Sequence, residues 1–442
     1  MKAHRGFESH PFRHYRPSPI LISVAVEAFL GARFQDAAPR AVGRRTVLGA
    51  LVGGSGLAVA TGCTRSPDVH HLAAHPRPPG TIVSLKPLGW YPAFVNRMVL
   101  GLAKVAPAIP VEHGFKPYRL VYWSTTNGEP VLVSALVSLP TGAPPRGLVL
   151  WMHGTNTDRS NSISRPSLQE GIAVSAAFTG GGYAVIAPDL VGLGVSQAPQ
   201  AYLHNPSTLA VTLDLLDIAA RGLGGLLRQP GRDLMVAGFS QGGHAAAVIH
   251  RALESDPSPV MRVRATAAIA GAFDLAGVSI PFALEGRSAS SSVYLGLAAQ
   301  SWATYYGHSL ETLLTESGMA SVDQALDGSH GADVLELLPR NPREMFRADF
   351  LHAQEMGGQH WFLDAARANQ AFDWAPRAPL RACFGTRDVD VTPQESLSFA
   401  KASRHRGGNV EALDLGPFDH GESPLRAVPL IRKWFDQLTS AA

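Results

Sequence analysis

The chain has 442 residues, of which 45% are hydrophobic and 17% charged, so it can bury a sizeable core and is neither collagen-like nor disordered in bulk. Its formal charge of +3 is concentrated at the N-terminus. Residues 1–62 hold eight of the 38 Lys/Arg and three of the 35 acids, which leaves the remainder near −2 and excludes a basic nucleic-acid footprint. Two cysteines, Cys63 and Cys383, exclude a disulfide framework.

At the N-terminus, Arg44-Arg45-Thr46 opens an apolar, Gly/Ala-rich stretch over residues 47–60, which ends in Ala60-Thr61-Gly62-Cys63. A twin-arginine pair before a modest apolar segment reads as an export signal. The segment is shorter than the ~20 residues a membrane span needs. Small residues before Cys63 resemble a lipoprotein box, so lipidation of Cys63 would attach the chain to a membrane. The forty residues ahead of Arg44 carry Glu8, Glu27 and Asp36, unusual for a signal, and suggest a true start at Val42. A polar, Pro-rich linker covers residues 64–80, and residues 64–109 read as linker and N-terminal extension.

From about Tyr118 the pattern alternates between strand and helix. Residues 119–123 and 131–139 read as strands around Asn127-Gly128, a strong hairpin signal. Residues 148–152, 183–187, 233–237, 265–270 and 380–384 are short, mostly apolar runs, as expected for strands covered on both faces. Helical patterns fall between them. Over residues 207–221, Leu209, Leu213, Leu216 and Ala220 recur at helical spacing with Ser207 as the N-cap, and residues 242–253 form a helix of small residues. The expected fold class is α/β: a mostly parallel sheet, covered by helices on both faces, with an antiparallel edge. The core then runs over residues 110–274 and 378–442. Residues 275–377 between them far exceed a plain crossover. They carry helical patterns at 293–306 and 310–314, together with Trp302, Tyr305, Tyr306, Trp361, Phe362, Phe372 and Trp374. They read as a helical cap insertion over the sheet's functional edge, an aromatic-rich stretch that would supply an apolar acyl pocket.

Gly238-Phe239-Ser240-Gln241-Gly242 follows a strand pattern and precedes a helix pattern. A Gly-x-Ser-x-Gly alone is a weak signal, but this context is that of a strained turn that exposes a nucleophilic serine. The hydroxyl needs a general base, and the base an orienting acid, expected in the chain order Ser, acid, His. Asp388 follows residues 380–384, with Asp390 as its rival, and His420 follows another short apolar run, residues 410–415. Oxyanion donors are expected from the amide of Gln241 and from the loop His153-Gly154-Thr155, with the Thr155 amide as the second donor. His153 reads as a loop-fixing residue, His244 as structural, His250 as exposed or satisfied on its helix, and Cys383 as a small buried hydrophobe. No metal-ligand spacing and no phosphate-binding glycine loop is evident.

These pieces, with Trp151-Met152-His153-Gly154-Thr155, Ala187-Pro188-Asp189-Leu190-Val191-Gly192-Leu193-Gly194, Gly385-Thr386-Arg387-Asp388 and Asp419-His420-Gly421, resemble the α/β-hydrolase superfamily, and within it the secretory-lipase-like serine esterases. The resemblance spans residues 110–442. It implies hydrolysis of a small-molecule or lipid-like ester through an acyl-enzyme, a helical lid ahead of the acid strand, and no cofactor. The residues leave open a serine peptidase or acyltransferase on the same fold, and a non-catalytic cell-envelope binding lipoprotein. They leave the oligomeric state open as well.

Overall fold

The computed structural model describes residues 75–102, 109–165, 169–227 and 231–440. The export signal, Cys63 and the alternative start at Val42 lie outside the described residues.

Nine strands form one sheet: β1 (Ile82–Pro87), β2 (Phe115–Thr126), β3 (Glu129–Pro140), β4 (Leu148–Met152), β5 (Ala184–Pro188), β6 (Asp233–Phe239), β7 (Arg262–Ile269), β8 (Leu380–Phe384) and β9 (Val410–Asp414). Their order is β1-β2-β3-β5-β4-β6-β7-β8-β9. The pairs up to β3/β5 are antiparallel and the rest are parallel. The β2/β3 hairpin turns at Asn127 and Gly128, whose φ of 47° and 80° are the two left-handed positions of a tight hairpin turn. β4 and β5 are buried along their whole length, which is why they read as unbroken apolar runs.

β1 falls in the stretch assigned from sequence to linker and extension. All but Pro87 of its residues are half-buried at the sheet edge, and the sequence Ile-Val-Ser-Leu-Lys-Pro is too short and irregular in pattern to stand out. Helix α1 (Ala93–Leu102) follows it, and Leu100 joins the core.

Further helices cover both faces of the sheet. On one face, α2 (Gln169–Phe178) packs Val174 and Phe178 against Trp151 and Val185. On the other, α3 (Asn205–Ala220) and α4 (Gln241–Ser255) pack Val211, Leu215 and Ile249 against Leu150 and Val236. The helix read from residue 207 starts earlier: His204 occupies the cap position, Pro206 lies in the first turn, and Ser207 is buried inside the helix. Its inward residues are Val211, Leu215, Leu216, Ile218 and Ala219, while Leu209 and Leu213 are half-buried. A helix buried on most sides has no single apolar stripe, so its periodicity misplaces the inner face.

Between β7 and β8 lie α5 (Ile280–Leu284), α6 (Ser291–Tyr306), α7 (Glu316–Ala325), α8 (Val334–Leu337), α9 (Ala348–Met356) and α10 (Trp361–Asn369). The pattern at residues 310–314 yields a single 3₁₀ turn, Leu310–Thr312, rather than a helix. These helices share their own core, centred on Trp302, Phe350 and Phe362 and closed by Tyr202 and Leu203. Two helices complete the chain: α11 (Pro393–His405) packs Phe399 on the α4 side, and α12 (Ser423–Ser440) packs Ile431 and Phe435 on the α2 side.

Candidate active site

Ser240 sits between the end of β6 and the start of α4, with φ 56° and ψ −120°, a conformation that non-glycine residues rarely adopt. Packing holds it there. A Cβ on Gly238 would overlap the Gly242 carbonyl, and one on Gly242 would overlap the Met152 carbonyl at the end of β4. One on Gly243 would stand 2.7 Å from the Ile269 oxygen at the end of β7. Three missing side chains thus let the α4 N-terminus settle onto the ends of two neighbouring strands, with its dipole directed at Ser240. Gly242→Ala is expected to destabilise the fold by about 3 kcal/mol or more, because the overlap is with backbone that cannot rotate away. Urea unfolding of the two proteins checks this.

The three residues singled out from sequence come together. His420 Nε2 lies 2.9 Å from Ser240 Oγ, and His420 Nδ1 lies 2.7 Å from Asp388 Oδ2. The ionised Asp388 can only accept, so Nδ1–H donates to it and Nε2 is left to accept the Ser240 proton. Asp388 is buried, and its other oxygen accepts from the amides of Asp390 and Val391, each at 2.9 Å. The acid loop after β8 is laced to the His420 loop by Thr386 N–H to Gly416 O (2.9 Å) and Arg387 N–H to Phe418 O (3.1 Å). Gly385 permits this approach, since a Cβ there would meet the Phe418 carbonyl. The Phe239 ring stacks obliquely on His420 at 4.8 Å.

Burial favours the neutral imidazole of His420, but the nearby Asp388, followed by Asp390 and Asp419, outweighs it and raises the pKa above that of an ordinary histidine. A base must be neutral to work, so activity falls as pH drops through this raised value. The acid limb of kcat/KM is therefore expected above the normal histidine midpoint, and a pH–rate profile on a neutral ester measures it.

The loop His153-Gly154-Thr155 runs beside this turn. A Cβ on Gly154 would stand 3.2 Å from the Phe239 ring, so glycine lets the loop close on it. Glu170, at the start of α2, clamps the loop from behind: it accepts from Trp151 Nε1 at 2.7 Å and from the Gly154 amide at 3.3 Å, and burial raises its pKa. His153 is fully buried, with Nδ1 2.7 Å from the Gly154 oxygen. Thr155 Oγ1 lies 3.4 Å from the Tyr202 hydroxyl. The amide of Gln241 opens α4 directly after Ser240.

Other histidines lie apart from the reaction centre. His244 is buried, bonded through Nδ1 to the Ala272 oxygen at 2.6 Å, with Nε2 2.9 Å from the Asn205 amide group; burial lowers its pKa to about 4. His250, which the sequence left as exposed or satisfied, is fully buried between Glu254 (3.2 Å) and the edge-on Trp374 ring. Cys383 is buried too, and burial raises its thiol to about 12. Asp390, the rival acid, is not bonded to His420 and accepts from Ser288 Oγ (2.7 Å) and Tyr294 OH (2.9 Å).

A cavity opens at Ser240 between the sheet and residues 275–377, lined mostly by apolar atoms. The insertion supplies half of the lining, from Leu275 to Trp302; of its seven named aromatics only Trp302 takes part, with Phe282 and Tyr294 from the same insertion and Tyr202 from outside it. Tyr305 and Tyr306 pack on His204, Trp361 on His308, Phe362 on Trp302, Trp374 on His250, and Phe372 beside Phe399 and Phe273. These side chains pack on other rings, Tyr305 and Phe362 buried and the rest half-buried, instead of facing the cavity. Glu395 also borders the cavity. It accepts from the amides of Phe273 and Asp274, both at 2.8 Å, and from the Ser279 hydroxyl, tying α11 to the root of the insertion; burial raises its pKa to about 7 despite those donors.

No family model matches the chain, and no curated protein matches it in sequence. Solved structures do. A Legionella pneumophila protein proposed to be a hydrolase superposes with a TM-score of 0.75 at 21% identity, over 81% of this chain and 98% of its own. The rice cell wall degrading esterase LipA from Xanthomonas oryzae superposes at 0.71 and 23% identity, over 83% and 100%. Candida antarctica lipase A in its closed state reaches 0.57 at 16% identity, over 82% and 83%.

Proposed function

We propose that this chain, whose fold is that of the α/β-hydrolases, is an exported serine hydrolase that cleaves carboxylic esters through an acyl-enzyme on Ser240. The observation that carries this reading is the unbroken hydrogen-bond path from Ser240 Oγ through both nitrogens of His420 to the buried carboxylate of Asp388. His420 accepts the serine proton as Oγ attacks the ester carbonyl. Asp388 holds the tautomer and stabilises the imidazolium. The amides of Gln241 and Thr155 hold the oxyanion, and the helix N-terminus adds to their field. His420 returns the proton to the leaving alcohol, and water, activated the same way, releases the acid and restores Ser240.

Residues 275–377 act as a cap over Ser240, and the apolar cavity beneath them takes the acyl chain. Two of the similar structures are an esterase and a lipase by name, which favours esters over peptides as substrates. The twin-arginine leader exports the chain, and Cys63 is its lipid attachment point; among the described residues no helix is long and apolar enough to cross a membrane.

A p-nitrophenyl ester series from acetyl to palmitoyl tests the reaction, with the protein from Cys63 onward and its Ser240→Ala variant. A rate that the substitution abolishes supports the esterase, and the chain-length profile sizes the acyl site. Equal rates for the two proteins sink the reading. Radiolabelled palmitate incorporation, lost in Cys63→Ser, tests the anchor.

A further inference from the structure

The cavity at Ser240 is bordered by two carboxylates whose situations differ. Glu395 has its oxygens filled by two backbone amides and a serine hydroxyl. Asp390 does not. Both of its side-chain hydrogen bonds, from Ser288 Oγ at 2.7 Å and Tyr294 OH at 2.9 Å, go to Oδ1, and no donor among the described residues reaches Oδ2. No Lys or Arg stands in ion-pair contact with Asp390 among the described residues. The side chain is nonetheless fixed. Its own amide is bonded to Asp388, and Ser288 in turn accepts from the Ser290 amide at 3.0 Å. Asp390 is half-buried, and Oδ2 is an acceptor that no protein donor among the described residues reaches. A rigidly held carboxylate of this kind, on the wall of a mainly apolar cavity, loses its hydration when an alkyl chain covers it, and loses more when an anion does.

We infer that Asp390 is a specificity-determining residue, and that the portion of the substrate bound in this cavity carries a hydrogen-bond donor, a hydroxyl or an ammonium group, that meets Asp390 Oδ2. This rests on the esterase reading and narrows its substrate class. Plain alkyl esters leave Oδ2 unpaired. Esters of dicarboxylic acids set two like charges together. A hydrogen bond from substrate to a carboxylate acceptor is expected to raise kcat/KM by roughly ten- to a hundredfold.

The test uses length-matched methyl esters of acids of six to ten carbons whose far end is a methyl, a hydroxymethyl, an aminomethyl or a carboxylate group, with the full mature chain and its Asp390→Asn variant. Ratios of kcat/KM within one protein are compared. Any influence of Asp390 on His420 is common to all four substrates and cancels. At the best length the wild type is expected to favour the hydroxyl or ammonium end over the methyl end by tenfold or more, and to reject the carboxylate. The hydroxyl and ammonium arms tell which donor the cavity takes. Asp390→Asn keeps an acceptor for Ser288 and Tyr294. It is expected to relieve the rejection of the carboxylate by at least tenfold and to erase any preference for ammonium over hydroxyl. Wild-type ratios near one, or a carboxylate ester preferred, overturn the inference even if the variant does not fold. So do identical ratios in the two proteins. A wild type with no Ser240-dependent hydrolysis of any member overturns the esterase reading itself, a separate outcome from hydrolysis without selectivity.

Discussion

Ser240→Ala is expected to lower kcat by about a million-fold, the loss that follows when a serine nucleophile is removed from a cooperating set. The fold should survive the change. The backbone at residue 240 is held at φ 56° by the glycine-lined contacts of β6 and α4 with the ends of β4 and β7, and alanine bears the same strain there as serine. Single-turnover kinetics with circular dichroism on the same sample separates lost chemistry from lost structure. A variant that keeps more than a hundredth of the wild-type rate would contradict the assignment of the nucleophile.

Asp388→Asn is expected to cost about ten-thousandfold in kcat, and the structure gives a specific reason. Oδ1 of Asp388 accepts from two backbone amides, while Oδ2 faces His420. An asparagine must leave its carbonyl oxygen on those amides, which turns its NH₂ toward His420 Nδ1. Nδ1 then becomes the acceptor and the ring proton moves to Nε2, where it can no longer take the serine proton. Nitrogen NMR of His420 should show the tautomer exchanged, together with the rate loss. An unchanged tautomer with an unchanged rate would mean that Asp388 is not the orienting acid.

Much of this arrangement was legible in the sequence, for identifiable reasons. Strands buried on both faces leave unbroken apolar runs, so β4 and β8 were bounded as they occur and β5 and β6 within two residues. The turn at Ser240 is legible because its glycines are needed for close backbone contact, and the order Ser240, Asp388, His420 follows the order of the strands that end beside it. What escaped depends on contacts between distant segments. Glu170 supports the Gly154 loop from 16 residues away, and Glu395 reaches Phe273 across 122, with nothing in either local pattern to mark it. β1 is an edge strand half-covered by its neighbour, so its alternation is faint. That the insertion contributes to the cavity wall is legible, but not which aromatics do so, because composition does not distinguish Trp361, stacked on His308, from Tyr294, which lines the cavity and donates to Asp390.

If Ser240 is a nucleophile activated by His420, its hydroxyl reacts with electrophilic phosphorus. Reaction with a fluorophosphonate therefore reports the activated hydroxyl whatever the natural ester is. The expected result is one phosphonyl group per folded chain, located by peptide mass spectrometry on Ser240, formed faster as pH rises through the His420 titration and absent from Ser240→Ala. A folded protein that takes up no label, or takes it up elsewhere, would mean that Ser240 is not the nucleophile.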